Sequence, residues 1–286
     1  MGIRRIHGLA ELAEHYDGLL CDVWGVVHNG VEVYRPAVEA LERFRARRGP
    51  VVLVSNAPRP HPPIEAQLAG LGVPRGAYDR LVTSGDVTRA ALGTRPGAKV
   101  LHLGPPRDLP LYEGLDIVLA KEPEAELVSC TGLHDDTCET PDKYRPMLER
   151  LAARGLPMVC ANPDIVVERG GELVYCAGAL ARLYRELGGE AILAGKPFPP
   201  IYDEALAALD GVERSRVLAV GDALATDLRG ARDAGLDSVF VTGGIHAGEL
   251  GAPGAPDPEA VRRRLAEEGL SPLGYMPALA WLNGER

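Results

Sequence analysis

Carboxylate residues stand directly after short apolar runs at two places in the sequence. Asp22 follows Leu19-Leu20-Cys21, and Asp222 follows an apolar run that ends in a glycine. A carboxylate can attack a phosphorus atom as a nucleophile, and neighbouring carboxylates can hold a divalent cation. Asp227, close behind Asp222, could cap a helix or orient a metal ligand from behind. A single Asp after a strand is commonly only a turn former, so these residues are informative as a set.

Hydroxyl, amide and cationic side chains follow two other apolar runs. Ser55 and Asn56 end one of them, where a hydroxyl and successive backbone amides could hold a phosphate oxygen. Lys196 lies in Gly195-Lys196-Pro197, and the proline disfavours a helix at the lysine. The sequence has only four lysines, so a lysine at this position is more informative than usual. Arg59 could meet an anionic group of a substrate, and a plain surface position is equally plausible.

The elements that must position these residues are short buried strands alternating with helices. Strand-helix alternation predicts an α/β fold with a doubly wound, mainly parallel sheet, in which ligands gather at the carboxyl ends of the strands. Seven apolar runs predict strands: Leu19-Leu20-Cys21, Val51 to Val54, Leu101 to Leu103, Met158 to Cys160, Ile192-Leu193, Val217 to Val220 and Val239 to Val241. Six patterns predict helices: Ala37 to Arg47, Ile64 to Leu71, Tyr144 to Arg154, Ala179 to Leu187, Tyr202 to Leu209 and Thr226 to Ala234.

Composition narrows the classes of function. The 286 residues are enough for a core domain with a second domain, and the formal net charge of -9 opposes nucleic-acid binding. Because no apolar run is long enough to cross a bilayer and no signal-peptide core follows the N-terminus, we expect a cytoplasmic protein without a membrane partner. The cysteines show no C-x-x-C spacing and are odd in number, which indicates neither a disulfide framework nor a zinc site. They are Cys21, Cys130, Cys138, Cys160 and Cys176.

The order of the four features resembles the haloacid dehalogenase (HAD) superfamily, whose motifs are a nucleophilic Asp, a Ser or Thr, a Lys and an acidic pair. The long interval between Ser55 and Lys196 is where class IIA, the NagD-like branch, inserts an α/β cap domain. Asn162-Pro163-Asp164 and Val241-Thr242-Gly243-Gly244 support this resemblance, which extends from Asp22 to Gly244. It implies a Rossmann-like hydrolase core over 1–86 and 184–286, with a smaller inserted cap over 87–183.

The resemblance also implies a phosphatase site. Asp22 would form an aspartyl-phosphate with a small phosphorylated metabolite, and Asp22, Asp222 and the backbone carbonyl of Trp24 would bind Mg²⁺. The resemblance further implies that Ser55 and Lys196 bind the phosphate, that Asn162 and Asp164 in the cap face the substrate, and that Asp227 supports the metal ligands. Asn56 and Arg59 join the phosphate or substrate candidates on their own chemistry. Asn162-Pro163-Asp164 is also typical of a turn without ligand contact. Family resemblance further suggests a homodimer.

Trp24 departs from the family pattern. Family phosphatases carry a second Asp at this position, which serves as general acid and base, whereas an indole N–H does not ionise in the useful range. Three outcomes fit: a slow phosphatase, an enzyme in which His28 replaces the missing acid and base, or a non-catalytic protein that binds a phosphorylated ligand. A dehalogenase-like hydrolase is a minor alternative. The interpretation that we carry forward is an Mg²⁺-dependent phosphoric monoester hydrolase.

Overall fold

The computed structural model describes residues 3–169, 172–252 and 254–282. Its contacts divide the chain into two compact units. The first comprises the chain up to residue 55, residues 65–82, and the chain from residue 202 onward. The second comprises residues 56–64 and 83–201.

Strands and short helices alternate along most of the described chain. The strands of the first half are β1 Arg4–Arg5, β2 Gly18–Asp22, β3 Val51–Ser55, β4 Arg80–Thr83, β5 Ala98–Leu103, β6 Ile117–Leu119, β7 Leu127–Cys130 and β8 Met158–Cys160. Those of the second half are β9 Val166–Arg169, β10 Glu172–Tyr175, β11 Ala191–Leu193, β12 Val217–Gly221, β13 Asp237–Val241, β14 Gly251–Ala252, β15 Ala255–Pro256 and β16 Gly274–Met276. The α-helices are α1 Arg35–Arg47, α2 His61–Leu71, α3 Ser84–Gly93, α4 Arg145–Ala153, α5 Ala177–Glu186, α6 Pro199–Ala207, α7 Arg229–Asp233 and α8 Pro258–Glu267. Among the residues that the structure describes, no helix combines the length and the apolar character that a bilayer crossing requires.

A seven-stranded sheet in the order β1-β16-β13-β12-β2-β3-β4 organises the first unit. Its central strands β12, β2 and β3 are parallel and buried along their whole length, which is why they appear in the sequence as nearly continuous apolar runs. From β2 the chain proceeds outward to β3 and β4, whereas β12, β13 and β16 extend to the other side. The direction in which successive strands are added to the sheet therefore reverses between β2 and β12. Ligands of open α/β sheets bind at such a reversal.

The second unit has a parallel sheet of its own, in the order β11-β8-β7-β5-β6. Apolar side chains of β7 and β8 pack with those of α4 and α5 in one buried cluster, which includes Val128, Leu148, Met158 and Leu180. An antiparallel hairpin of β9 and β10 also belongs to this unit. The α/β class with a parallel core sheet and a second, cap-like sheet is thus confirmed.

One strand lies in a different sheet from the one that the sequence suggested. The segment Ile192-Leu193 was assigned to the core range 184–286, but β11 pairs with Met158–Cys160 of β8 in the second sheet. Hydrophobic periodicity identifies a short strand without identifying its partner, because the partner is chosen by hydrogen bonds to a distant segment. The boundaries at 87 and 183 fall inside the second unit and stay a prediction.

Candidate active site

Three carboxylates meet at the carboxyl ends of β2 and β12 in the first unit. Asp22 is the last residue of β2, Asp222 directly follows β12, and Asp227 lies in the next turn. All three are buried, and one ligand oxygen from each lies within 4.8 Å of the others. The reversal of strand order between β2 and β12 therefore carries a cluster of acidic oxygen atoms.

Asp222 is held closely by backbone on two sides. Its Oδ2 accepts a 2.7 Å hydrogen bond from the amide of Ile245. A Cβ atom built on Gly25 would lie 2.2 Å from this oxygen, and one built on Gly244 would lie 1.8 Å from it. Gly25 also has a φ of +85°, which favours glycine. Both positions therefore need glycine so that backbone can approach the carboxylate.

Asp227 supports the same loop from the start of a helix. The turn Leu224–Leu228 is π-helical and leads into α7, where the sequence predicted one helix from Thr226. Asp227 Oδ2 accepts a 3.0 Å hydrogen bond from the amide of Ala223. A Cβ atom on Gly221 would lie 2.2 Å from the Cβ of Asp227, so Gly221 allows the turn to fold against the strand end.

A compact loop follows Asp22 and carries Trp24 and His28. The Trp24 ring is partly buried and lies edge to face with the His28 ring, with 5.1 Å between ring centroids. A Cβ atom on Gly30 would lie 2.5 Å from the Trp24 ring, and Gly30 has a φ of +89°. The absence of a side chain at Gly30 thus makes room for the indole. No sequence motif indicated this contact.

His28 is 2% exposed, and its Nδ1 accepts a 2.8 Å hydrogen bond from the amide of Gly30. This bond assigns the proton of the neutral ring to Nε2. Burial lowers the pKa of His28 to about 4, because the charged ring loses its hydration. The engaged Nδ1 indicates that His28 shapes the loop, and the acid/base role suggested for His28 stays a prediction.

The phosphate-binding candidates divide between the units. Strand β3 pairs with β2 so that Val54 lies opposite Asp22, and Ser55 is the last residue of β3. Ser55 is therefore near the carboxyl edge that carries Asp22. Asn56 belongs to the second unit, where its Nδ2 donates to Asp164 Oδ1 at 2.9 Å and its Oδ1 accepts from the amide of Lys196 at 2.8 Å. Asn56 therefore positions the backbone of the lysine segment.

Lys196 itself is only 4% exposed. Gly195 before it has a φ of +122°, and a Cβ atom there would lie 2.6 Å from Asn56 Oδ1 and 2.6 Å from Ser84 Oγ. Ser84 donates a short hydrogen bond to the carbonyl of Ala194. The lysine segment is thus fixed by polar contacts on both sides, from Asn56, which the sequence singled out, and from Ser84, which it did not.

The other predicted substrate residues have partners inside the second unit. Asn162 Oδ1 accepts a 3.0 Å hydrogen bond from the amide of Asp164. This bond closes the turn that is typical of the segment Asn162-Pro163-Asp164. Arg59 Nε lies 3.8 Å from Asp108 Oδ1. Asp108 was not singled out in the sequence, since no motif surrounds it.

The carboxylate cluster fits Mg²⁺ in the chemistry of its donors. Mg²⁺ prefers oxygen ligands, and buried carboxylates that repel each other gain from a bound cation. The glycines at 25 and 244 keep side chains away from Asp222 Oδ2, which leaves backbone as its neighbour on these sides. Asp22 and Asp222 are suited to direct binding, whereas Asp227 also holds the Ala223 amide.

Comparison with known proteins assigns the family. Residues 19–118 match the family of haloacid dehalogenase-like hydrolases, and residues 193–267 match a HAD-hydrolase-like family. A haloacid dehalogenase-like hydrolase of Brucella suis 1330 is 48% identical, covers 96% of this chain and 100% of its own, and has a TM-score of 0.86. The chain belongs to the haloacid dehalogenase-like hydrolases. The class IIA resemblance predicted from the sequence is confirmed.

Two further similarities concern relatives of this hydrolase that have named activities. The D-glycerol 3-phosphate phosphatase of Mycobacterium tuberculosis is 31% identical over 84% of this chain and 66% of its own length. A structure of the glycerol phosphate phosphatase from Mycobacterium tuberculosis in complex with magnesium is 26% identical, covers 90% of this chain and 79% of that one, and has a TM-score of 0.65.

We predict that Gly244→Ala weakens Mg²⁺ binding at least about tenfold, because its Cβ would displace the Asp222 carboxylate. The measurement is the Mg²⁺-dependent rise of the thermal unfolding midpoint over a titration of the ion. Gly248→Ala is the matched control, since a Cβ at Gly248 meets nothing within 4 Å. Equal Mg²⁺ affinity in the two variants would show that Asp222 is not a ligand.

Proposed function

We propose that this hydrolase is an Mg²⁺-dependent phosphatase that acts on a small phosphorylated metabolite through an aspartyl-phosphate on Asp22. The observation that carries the proposal is the buried cluster of Asp22, Asp222 and Asp227 at the reversal of strand order. The phosphatase activity of the Mycobacterium tuberculosis relative supports the same reaction type.

In the first step, an Asp22 carboxylate oxygen forms a bond to phosphorus while the bond from phosphorus to the alcohol oxygen breaks. The alcohol oxygen leaves with the electron pair of that bond and must take up one proton. In the second step, the oxygen of a water molecule forms a bond to phosphorus while the bond from phosphorus to the Asp22 oxygen breaks. The proton that the water loses passes to solvent, phosphate is released, and Asp22 returns to its carboxylate form. A nucleophile at a strand end is well suited to this step, because a buried strand holds it in one position.

Mg²⁺, when bound, would neutralise charge on the phosphoryl oxygens and the carboxylates. Asp22, Asp222 and the carbonyl of Trp24 are its proposed ligands, with Asp227 holding the loop in place. Ser55 is proposed to donate to a phosphoryl oxygen. Lys196, Asn162 and Asp164 are further proposed contacts to the phosphate or substrate, by resemblance to the family. Asn56 and Arg59 are proposed as contacts because they follow the strand end that carries Ser55.

The lysine is the proposed cation for the phosphoryl group. Its amide is fixed by a hydrogen bond to the Asn56 side chain. A lysine whose backbone is held in this way can place its ammonium group with little loss of conformational entropy on binding. That arrangement supports a role in which the lysine offsets charge on Asp22 and the phosphate.

Trp24 occupies the position at which family phosphatases carry a second Asp. No carboxyl group at this position can therefore protonate the departing alcohol. We infer that esters of acidic alcohols, such as aryl phosphates, are cleaved faster than alkyl phosphates, because an acidic alcohol leaves without a proton donor. Loss of a positioned acid costs a factor of about 10² to 10⁴ in rate. Turnover of alkyl phosphates is therefore proposed to be slow. A homodimer is a further proposal, carried by the family resemblance alone.

We predict that Asp22→Asn abolishes Mg²⁺-dependent phosphate release from an aryl phosphate and from glycerol 3-phosphate, because an amide cannot form the acyl phosphate. The measurement is inorganic phosphate released over time, with Mg²⁺ and with a chelator. Asp17→Asn is the control, since Asp17 pairs with Arg48 and Arg216 before β2 begins and lies outside the proposed site. Wild-type protein that binds aryl phosphate but releases no phosphate would favour the non-catalytic alternative.

We predict that Trp24→Asp raises turnover of glycerol 3-phosphate by about 10² or more, since it restores an ionisable group two residues after the nucleophile. Trp24→Phe is the matched control, because it keeps an aromatic ring beside Gly30 and adds no acid. Aryl phosphate turnover should change less than alkyl phosphate turnover. A folded Trp24→Asp protein with unchanged alkyl turnover would mean that another step limits the rate.

We predict that His28→Asn keeps turnover within about threefold on both substrates, far less than the factor of about 10² that loss of an acid or base costs. An Asn oxygen at position 28 can accept the Gly30 amide that Nδ1 accepts now, as in an Asx turn. His28→Leu, which cannot accept this hydrogen bond, should lower the thermal midpoint. A large loss of turnover in a stable His28→Asn protein would restore His28 as the acid or base.

A further inference from the structure

The second sheet has its own reversal of strand order. From β5 the chain proceeds to β6 on one side, whereas β7, β8 and β11 extend to the other side. The reversal therefore lies between β5 and β7, which are paired in register from Val100 with Leu127 to Leu103 with Cys130. In open parallel sheets, the crevice outside the carboxyl ends at such a point is the usual place for a ligand.

Polar groups gather where β5 and β7 end. Thr131 follows β7 and is 3% exposed, and its Oγ1 lies 3.1 Å from Nε2 of His102 in β5. A Cβ atom on Gly104, directly after β5, would lie 1.9 Å from that hydroxyl oxygen. Any side chain at position 104 would thus occupy the space beside Thr131. Burial lowers the pKa of His102 to about 4, so its ring is neutral near pH 7.

Asp108 is the residue at this edge that the phosphatase mechanism leaves unexplained. Its side chain is 2% exposed, and its Oδ1 accepts no hydrogen bond from any residue that the structure describes. Arg59 Nε lies 3.8 Å away, which makes an ion pair but is too long for a hydrogen bond. Burial raises the pKa of Asp108, although the Thr131 hydroxyl and the charges of Arg107 and Arg59 oppose this rise.

We propose that the carboxyl edge of the second sheet, at its reversal between β5 and β7, binds a hydroxyl group of a sugar or polyol, with Asp108 Oδ1 as its acceptor and Arg59 as its donor. A hydroxyl both donates and accepts, so one oxygen can bridge a carboxylate and a guanidinium that do not reach each other. A ligand amine would face the arginine cation, and a ligand anion would face the Asp108 carboxylate.

The neighbouring charges do not compete for this ligand. Arg107 and Arg169 both bind the Asp136 carboxylate, with Arg169 at 3.0 Å and Arg107 at 2.5 Å. Asp136 thereby offsets the charge of one of the two guanidinium groups and holds both of them at its own carboxylate. The hydroxyl-bearing molecule is either the alcohol part of the substrate, which rests on the proposed function, or a free sugar or polyol that binds separately.

The test compares ligands that differ in hydroxyl groups. Glucose 6-phosphate, glycerol 3-phosphate, free glucose, free glycerol and phenyl phosphate are titrated by calorimetry into the full-length Asp22→Asn protein with Mg²⁺. Asp108→Leu added to this background, a change of similar shape, should weaken hydroxyl-bearing ligands relative to phenyl phosphate by about tenfold. Asp108→Asn, which keeps an acceptor oxygen, should show a smaller loss.

Glu122→Gln is the matched control, since it removes a carboxylate before β7, at the opposite edge of the same sheet. Loss confined to phosphorylated ligands identifies the substrate as the source of the hydroxyl, and loss for free glucose or glycerol identifies a separate ligand. The proposal is overturned when Asp108→Leu and Asp108→Asn leave all ratios unchanged, or when no hydroxyl-bearing ligand binds at millimolar concentration. Phenyl phosphate hydrolysis by the wild type reports separately on the proposed function.

Discussion

Repulsion among buried carboxylates is the constraint on which the rest of the first unit depends. Asp22, Asp222 and Asp227 bring ligand oxygens within 4.8 Å of one another in a buried place. Such a cluster opposes folding unless hydrogen-bond donors or a cation offset its charge. The backbone amides of Ile245 and Ala223 are among the donors to this cluster. Both donate to oxygens of the acidic pair after β12, and a bound divalent cation would offset the negative charge of all three carboxylates.

Small residues make this arrangement possible. Gly25 and Gly244 let backbone reach Asp222, Gly221 lets Asp227 fold back on its own strand, and Gly195 lets Asn56 and Ser84 approach the lysine segment. Asp222 is therefore positioned by glycines on two other turns as well as by the strand that it follows. The consequence is rigidity without steric conflict, because main-chain groups replace the side chains that would otherwise compete for the same space.

The sequence predicted best what local patterns encode. Central strands such as β2 and β12 are buried on both faces, so their apolar runs predicted them correctly. Because the strands are parallel, Asp22 and Asp222 lie at the same edge of the sheet. Contacts that depend on the folded path of a loop were not predicted. Examples are the hydrogen bond from the Gly30 amide to His28 and the pairing of the Arg59 and Asp108 side chains. The sheet that β11 joins was missed for the same reason, since its partner β8 lies about thirty residues earlier.

Trp24 is where local pattern and family pattern diverge most. Its ring lies against Gly30, which has a positive φ, and packs edge to face with the His28 ring. The indole is therefore part of the packing of its loop. A carboxyl group at this position would lose those contacts and would place a fourth acid near three others. The loop is thus built for an aromatic residue, at the expense of the proton transfer that an Asp would supply. In the phosphatase that we propose, the nucleophile and the metal ligands do not depend on that proton, so the constraint would fall on which alcohols can leave, and leaving-group chemistry would then act beside shape in selecting the ester.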